Sequence, residues 1–368
     1  MKAFLIATLC ALTVHAADET GFTSLFNGRD FKGWVNVNCA PETWSITNGV
    51  IHCTGHPTGA LRTERQYENF IMEVDWRHLS SGGNSGIFIW ATPIAAPGVP
   101  FLRGIEVQVL DHGYNVQGKN EWYTTHGDVF PIHGAHMKPF GRHNGERSFP
   151  SEERSNPSPE WNHYQIVGTN GTLRLSVNGK EVSGGEDCDY RKGYLGLESE
   201  GAPVEFRNIR IQEFPSNAPR AELTGPTDSG FRTVFDGLDL RGWKPNARFT
   251  VEGEHIVLKP GEPNGSALRT EKEFGDAVFS IDVRPAKEST QIPIVECRGI
   301  PIPLEGATPG AYTRFQIESK GGQITVKRGE TEIQRQTSSA SSSNRGPLAI
   351  RDTGGPLEFM NLYVRENP

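Results

Sequence analysis

The chain reads as one unit written twice. "GFTSLFNGRDFKGWVN" begins at Gly21 and "GFRTVFDGLDLRGWKPN" at Gly230. "GALRTERQYENFIMEVDWR", from Gly59, matches "SALRTEKEFGDAVFSIDVR", from Ser266. Near the ends, "GYLGLESEGAPVEFRNIRIQE", from Gly193, matches "GPLAIRDTGGPLEFMNLYVRE", from Gly346. Three blocks kept in order point to duplication of a whole domain. "PSNAPRAELTGPTDS", residues 215–229, has the Pro, Ser and Asn content of a linker. The 368 residues suit two domains, each with its own core. The expected division is 17–214 for the first domain and 230–368 for a shortened second copy.

Within the blocks the pattern is that of strands. In "FIMEVDWR" the residues Phe70, Met72, Val74 and Trp76 alternate with Ile71, Glu73, Asp75 and Arg77, a period of two with one apolar face. "LRLSVNGKEV" places Asn178-Gly179, the preferred pair of a type I′ hairpin turn, after an alternating run. No segment keeps a 3.6-residue period, and 42 Gly with 25 Pro suit short strands joined by turns. An all-β chain is expected, with a two-sheet antiparallel sandwich used twice.

The first sixteen residues have the build of a secretory leader. Lys2 gives the positive start, Phe4 to Val14 the apolar run, and Val14 and Ala16 the small residues before a cleavage site. A secreted or periplasmic protein is expected. No other apolar stretch is long enough for a membrane-spanning helix. Export permits disulfides, and Cys39 and Cys53 could bridge neighbouring strands. The net charge of -7 argues against a nucleic-acid partner, which needs a basic face.

The copies differ most in one interval. The first spends 84 positions from Arg77 to Trp161, and the second 28 from Arg284 to Tyr312. The additional chain contains "GIEVQVLDHG", "THGDVFPIHGAH" and "GRHNGERSFPSEERSNPSPEW". Six of the ten histidines outside the leader lie there, and the second copy has only His255. A long insertion on a frame that stands without it often carries function.

Candidate site residues follow from alternation. In "GIEVQVLD" the Val107 and Val109 side chains would face the core, leaving Glu106 and Gln108 outward. Asp111 has the opposite parity to Glu106 unless the strand ends or bulges. His126 and Asp128, two apart, share a side on extended backbone and could form a metal pair or an acid–base pair. His133 and His136 lie on irregular backbone with no third ligand at a recognisable interval. "GGNSGIF" sets Asn84 before a strand, where it suits ligand hydrogen bonding. "PEWNHY" offers Glu160 towards a site and Trp161 as core or as a sugar-stacking surface. Glu198 and Glu200 of "LESEG" become Arg351 and Thr353 in the second copy.

These motifs resemble the 3-keto-disaccharide hydrolase domain family. The resemblance is carried by "LFNGRDFKGW", "NFIMEVDWR", "GNSGIF", "GIEVQVLD", "HGDVF", "EWNHY", "VNGKEV" and "EFRNIRI", which cover nearly all of Gly21 to Glu213. The second copy matches only the frame motifs. The resemblance implies concanavalin A-like jelly-roll domains and action on a 3-keto-glucoside or related oligosaccharide. Relatives often carry an Arg at the end of the "SGIF" strand, where this chain has Trp90, and a Gln and a His where it has "LESEG".

A ketone at C3 of a glucoside acidifies the hydrogen on C2. A base can remove it, the enolate can expel the C1 substituent, and water can then add. Such a site needs a base near neutrality, an acid for the leaving group, and donors or a metal for the enolate oxygen. His126 or Glu106 is the expected base, with Asp128 orienting the imidazole. Gln108 is expected on the sugar, and Asp111 and Glu198 as lesser candidates for acid work or metal ligation. The cofactor stays open, a divalent metal being one way to hold the enolate. Two other functions fit the same fold: a jelly-roll glucanase acting on unoxidised glycans, and a carbohydrate-binding protein without catalysis.

Overall fold

The structure is a computed structural model that describes residues 21–114, 122–124, 127–337 and 344–366. The proposed leader lies outside these residues. Four antiparallel sheets form among them. Strands up to Val204–Glu213 make a nine-stranded and an eight-stranded sheet; those from Arg232–Thr233 onward make an eight-stranded and a five-stranded sheet. No helix of the described residues is long and apolar enough to cross a membrane.

Alternation builds each core. Met72, Val74 and Trp76 of one sheet meet Ile87, Val107, Val109 and Leu197 of the facing sheet, all at most 2% exposed. Phe279, Ile281 and Val283 meet Val295, Ile302 and Ile350 in the same way. Each such side chain contributes roughly 1.5–3 kcal/mol by leaving water, so the inner faces fix the register of every strand. The Asn178-Gly179 turn joins Thr172–Val177 to Lys180–Glu186 with both residues at positive φ (46° and 87°).

The sheet that concerns function runs in the order His143–Asn144, Arg147–Ser148, Val129–Ile132, Gly104–Leu110, Asn84–Ala91, Tyr194–Ser199, Gly59–Thr63, Trp34–Val37. Its five-stranded counterpart runs Trp243–Lys244, Ala267–Phe274, Gly346–Arg351, Ile294–Cys297, Ile300–Pro303. Ile302 pairs Val295 there as Val107 pairs Ile87. The strand "GIEVQVL" therefore has a positional partner, "IPIP", and does not belong to the added chain as sequence comparison suggested. Two prolines in four residues hide the correspondence. The added chain builds Val129–Ile132, Arg147–Ser148 and His143–Asn144, which extend the sheet by three strands.

Cys39, Cys53, Cys188 and Cys297 are free and buried, so the Cys39–Cys53 bridge that export would permit is not formed. The segment 215–229 is tied to the first sandwich rather than hanging free. Asp228 accepts a 2.6 Å hydrogen bond from Arg62, whose side chain is fully buried. The Asp228 amide donates to the Tyr194 hydroxyl (2.6 Å). Removing one partner of a buried ion pair strands the other charge. Asp228→Ala should therefore destabilise the protein by about 3 kcal/mol, measured as a loss of unfolding free energy in urea; an unchanged midpoint would contradict the role given to this pair.

Candidate active site

The site lies on the outer face of the eight-stranded sheet, where strand pairing brings carboxylates together from separate parts of the chain. Gly86 pairs Gln108 on one side. On the other, Leu197 pairs Ile87, which sets Glu198 beside Gly86. Gly86 has no side chain to separate its neighbours. A Cβ placed there would lie 2.8 Å from Glu106 Oε1 and 2.8 Å from Glu198 Oε2. The two oxygens are thus no more than twice that distance apart. Asn84, bridged to Glu200 across the same strands, donates to the Glu200 carboxylate at 2.5 Å.

A second chain of contacts fixes the amide of Gln108. Its Nε2 donates to Asn84 Oδ1 (3.0 Å) and to the Ser85 carbonyl (3.1 Å). Its Oε1 accepts from Arg147 Nη2 (2.6 Å). Arg147 Nε in turn donates to Asp128 (2.6 Å), which is fully buried and also accepts from the Thr124 amide and hydroxyl. The Arg147 guanidinium stacks over Phe130, 3.6 Å from the ring centroid. The result is a cationic group held rigidly on the cavity wall.

The cavity has a volume of about 200 Å³. Its floor holds Glu106, Gln108, Glu198 and Glu200, and its walls include Tyr114, Trp122, Phe130, Phe101 and His133. Trp122 is half exposed at the rim, a flat apolar surface of the kind that stacks on a sugar ring. His133, in the left-handed region at φ 53°, stacks on Phe101 with centroids 5.4 Å apart and planes 2° from parallel.

Electrostatics follow from this crowding. Burial, then the charges of Glu200 and Asp128, pushes the Glu106 carboxyl up to about 8, against the pull of Arg147. Burial and the neighbouring Glu106 and Glu200 hold Glu198 well above the usual carboxylate range. Burial raises Glu200 also, opposed by a hydrogen bond from Glu198. Glu198 Oε2 is buried with no hydrogen-bond partner among the described residues. A protonated carboxyl with one orphan oxygen beside a raised carboxylate can give a proton while its neighbour takes one.

Of the residues expected from sequence, the structure gathers Asn84, Glu106, Gln108 and Glu198 around the cavity. Asp128 stands behind it and supports Arg147; its carboxylate is engaged by Thr124 and Arg147. His126, the proposed imidazole partner, lies outside the described residues. Asp111 falls where the strand has ended. Burial opposes its ionisation, but the amides of Gly82, Gly113 and Ser158 outweigh it and hold the carboxyl down at about 2. It staples loops and does not line the cavity. Glu160 and Trp161 are elsewhere too. Glu160 is exposed. Trp161 leads into Asn162–Thr169 of the nine-stranded sheet and lies between Arg77 and Arg207, 4.6 and 3.9 Å from its centroid. Trp90 is fully buried and donates to the Glu68 carbonyl (3.0 Å). His136 pairs with Glu146 on the surface (3.2 Å).

Sequence reasoning missed Arg147 and the aromatic walls, and undervalued His133 and Glu200. Arg147 sits on a two-residue strand, too short for periodicity to mark. Glu200 did carry a signal, being two residues from Glu198 and lost in the second copy. Among the described residues no three His, Cys, Asp or Glu side chains are grouped so as to hold a metal ion. In the second sandwich the matching face is neutralised: Glu296 is paired with both Arg269 and Arg351.

The profile of the 3-keto-alpha-glucoside-1,2-lyase-like domain matches residues 21–212. A 3-keto-disaccharide hydrolase of Bacteroides thetaiotaomicron is 24% identical over 251 residues, covering 53% of this chain and 79% of the relative. Among solved structures, a Parabacteroides distasonis protein described as a candidate glycosyl hydrolase is 24% identical with a TM-score of 0.44, covering 55% of this chain and 99% of its own. A carbohydrate binding module from Bacillus subtilis is 14% identical with a TM-score of 0.35, covering 49% of this chain and 96% of its own.

The raised Glu106 carboxyl has a stability consequence. It ionises near 4.5 in the unfolded chain and near 8 in the folded one. Across that window the folded state keeps a proton the unfolded state has lost, so stability is full below 4.5 and falls as pH rises towards 8. Glu106→Gln removes this group. Thermal melts at pH 5 and pH 8 should show a smaller drop in the variant than in the parent; equal drops would refute the shift.

Proposed function

This chain belongs to the 3-keto-alpha-glucoside-1,2-lyase-like domain family, and on that basis we propose that it is an exported enzyme that cleaves 3-keto-glucosides by elimination across C1–C2 followed by hydration. The observation that carries this reading is the convergence of the Glu106 and Glu198 carboxyls over Gly86, where burial raises both above the usual carboxylate range. Elimination needs such a pair on one small region of the ring. A neutral-range base matches the pH at which it would work.

In this mechanism the Glu106 carboxylate takes the C2 proton, and the electron pair moves onto the C3 oxygen as an enolate. Arg147, held by Asp128, supplies positive charge, and the Gln108 and Asn84 amides supply hydrogen bonds to the ring substituents. The enolate collapses towards C1 and the C1–O bond breaks. Glu198 gives its proton to the departing oxygen. Water then adds at C1 and C2 regains a proton, which yields the free 3-keto sugar and the aglycone alcohol. Trp122 stacks on the sugar or aglycone at the rim. Residues 1–16 serve as the export leader, so the exported chain should begin near Ala17 by intact mass. The second sandwich, read as a duplicated copy, has lost this chemistry: its strand "IPIP" puts Pro301 and Pro303 where Glu106 and Gln108 stand.

One observation favours a second reading. The closeness of Glu106 and Glu198 also suits a retaining glycosidase, whose carboxyls are about 5–5.5 Å apart. The two mechanisms differ at C2. With a 3-keto-glucoside in heavy water, elimination and rehydration should place deuterium at C2 of the product, read by proton NMR, while the unoxidised glucoside stays intact. Cleavage with no deuterium at C2, or cleavage of the unoxidised sugar, would favour the glycosidase. Glu106→Gln should lower kcat by about 1,000-fold, within the range of a lost general base.

Gly86 offers an independent check. Its substitution by Ala would press on the side chains of Glu106, Cγ included, and Glu198 rather than on backbone, so the fold should survive. Gly86→Ala should reduce kcat/KM by about 100-fold, the scale of an ångström-level misplacement. A variant as active as the parent would remove these carboxylates from the mechanism.

A further inference from the structure

The segment between the two central site strands leaves the first sandwich and lands on the second. It is a hairpin: Thr92 N donates to Arg103 O (2.9 Å), Ala96 N to Phe101 O (2.8 Å), and Ala95 bridges Leu102. Its tip, Ala95 to Val99, is gripped through its backbone. Gly98 N donates to Asp282 Oδ2 (2.8 Å). Arg314 Nη1 donates to Ala95 O (2.8 Å). Asn361 Nδ2 donates to Val99 O (2.9 Å) and Ala96 O (3.2 Å). Ala95 N donates to the Tyr363 hydroxyl (3.2 Å).

The grip is built, not incidental. Asp282 is fully buried and held by Arg314 through both oxygens (2.6 and 2.8 Å) and by Asn361 (2.7 Å). The first sandwich carries the same Asp–Asn pair, Asp75 and Asn208, also at 2.7 Å. There the aspartate is partly exposed, pairs with His163, and lines an open hollow of about 550 Å³. The pair is thus part of the frame. The second sandwich adds Arg314 and Tyr363 and closes the site over the tip.

The strand that leaves this tip reaches the cavity at once. Phe101 lies in its wall and stacks on His133. Phe88, which pairs Glu106 across the sheet, packs in one apolar cluster with Leu102, Ala95 and Tyr363. Only Pro100 therefore separates Val99, held by Asn361, from Phe101 in the wall facing Glu106.

We propose that the second sandwich acts as a clamp on the active site, with Asp282 and Asn361 as positioning residues that, by gripping the Ala95–Val99 tip, hold Phe101 against His133. This assigns the duplicated domain a task other than sugar binding. Its effect on turnover rests on the reaction given above; its effect on the cavity wall does not.

Two variants of the full chain test it. Asp282→Ala removes the centre of the grip. Gly98→Ala works from the other side without touching either core: Gly98 has φ +74° and a Cβ there would meet Tyr312 Cβ at 2.8 Å. Burial lowers the His133 imidazole below its ordinary range, so its titration, followed by NMR and assigned with His133→Gln, reads the stack directly. In a folded variant the His133 pKa should rise towards the ordinary value, and kcat/KM on a 3-keto-glucoside should fall by about 100-fold. An unchanged His133 titration in a folded variant, whatever its melting temperature, would overturn the clamp. If the parent enzyme does not turn over 3-keto-glucosides, the reaction fails, and the His133 titration still decides the clamp.

Discussion

Two acidic side chains reach into the same small space because the strand between them carries a glycine. Gly86 lets Glu106 and Glu198 converge where any other residue would hold them apart. At about 4 Å and an effective dielectric constant near 20, like charges repel by about 4 kcal/mol, well above the ~1.4 kcal/mol of one pKa unit. The pair cannot ionise together, so protonation is shared out unequally. The rest of the site serves that inequality. Arg147 lies against Gln108 and draws Glu106 down; Glu200 takes a hydrogen bond from Glu198 and keeps the proton there. Asp128 belongs to the same device at one remove, since it aims Arg147.

The sandwich was legible because an apolar residue stands at every inward position of segments such as "FIMEVDWR" and "GIEVQVL". The same parity put Glu106 and Gln108 on the outer face. Parity could not say which sheet a strand joins. Glu160 and Trp161 were expected near the site, but the strand they introduce lies in the nine-stranded sheet. Asp111 illustrates a strand end, where alternation loses its meaning and backbone amides take over. Arg147 and the aromatic walls come from short strands and loops whose placement depends on tertiary packing, not on local pattern. Spacing left a Cys39–Cys53 bridge open without deciding it, and both thiols are free.

The two sandwiches are informative through their differences. Glu198 becomes Arg351, and Phe88 has Glu296 in its place, so the second face closes into an ion-paired cluster. Its opposite sheet keeps the Asp–Asn pair of the frame and turns it on the first sandwich. One copy thus carries the cavity while the other grips the hairpin that forms part of its wall. The tip beside Phe101 donates to a buried aspartate of the second sandwich, Asp282.

The central claim is that Glu106 and Glu198 cannot both be ionised at neutral pH. Carbon-13 NMR of the glutamate carboxyl carbons, assigned with Glu106→Gln and Glu198→Gln, measures this without substrate. Glu106 should titrate near pH 8, and so be mostly protonated at pH 7, while Glu198 should titrate well above the usual carboxylate range. Two carboxyls fully ionised by pH 5 would contradict the account.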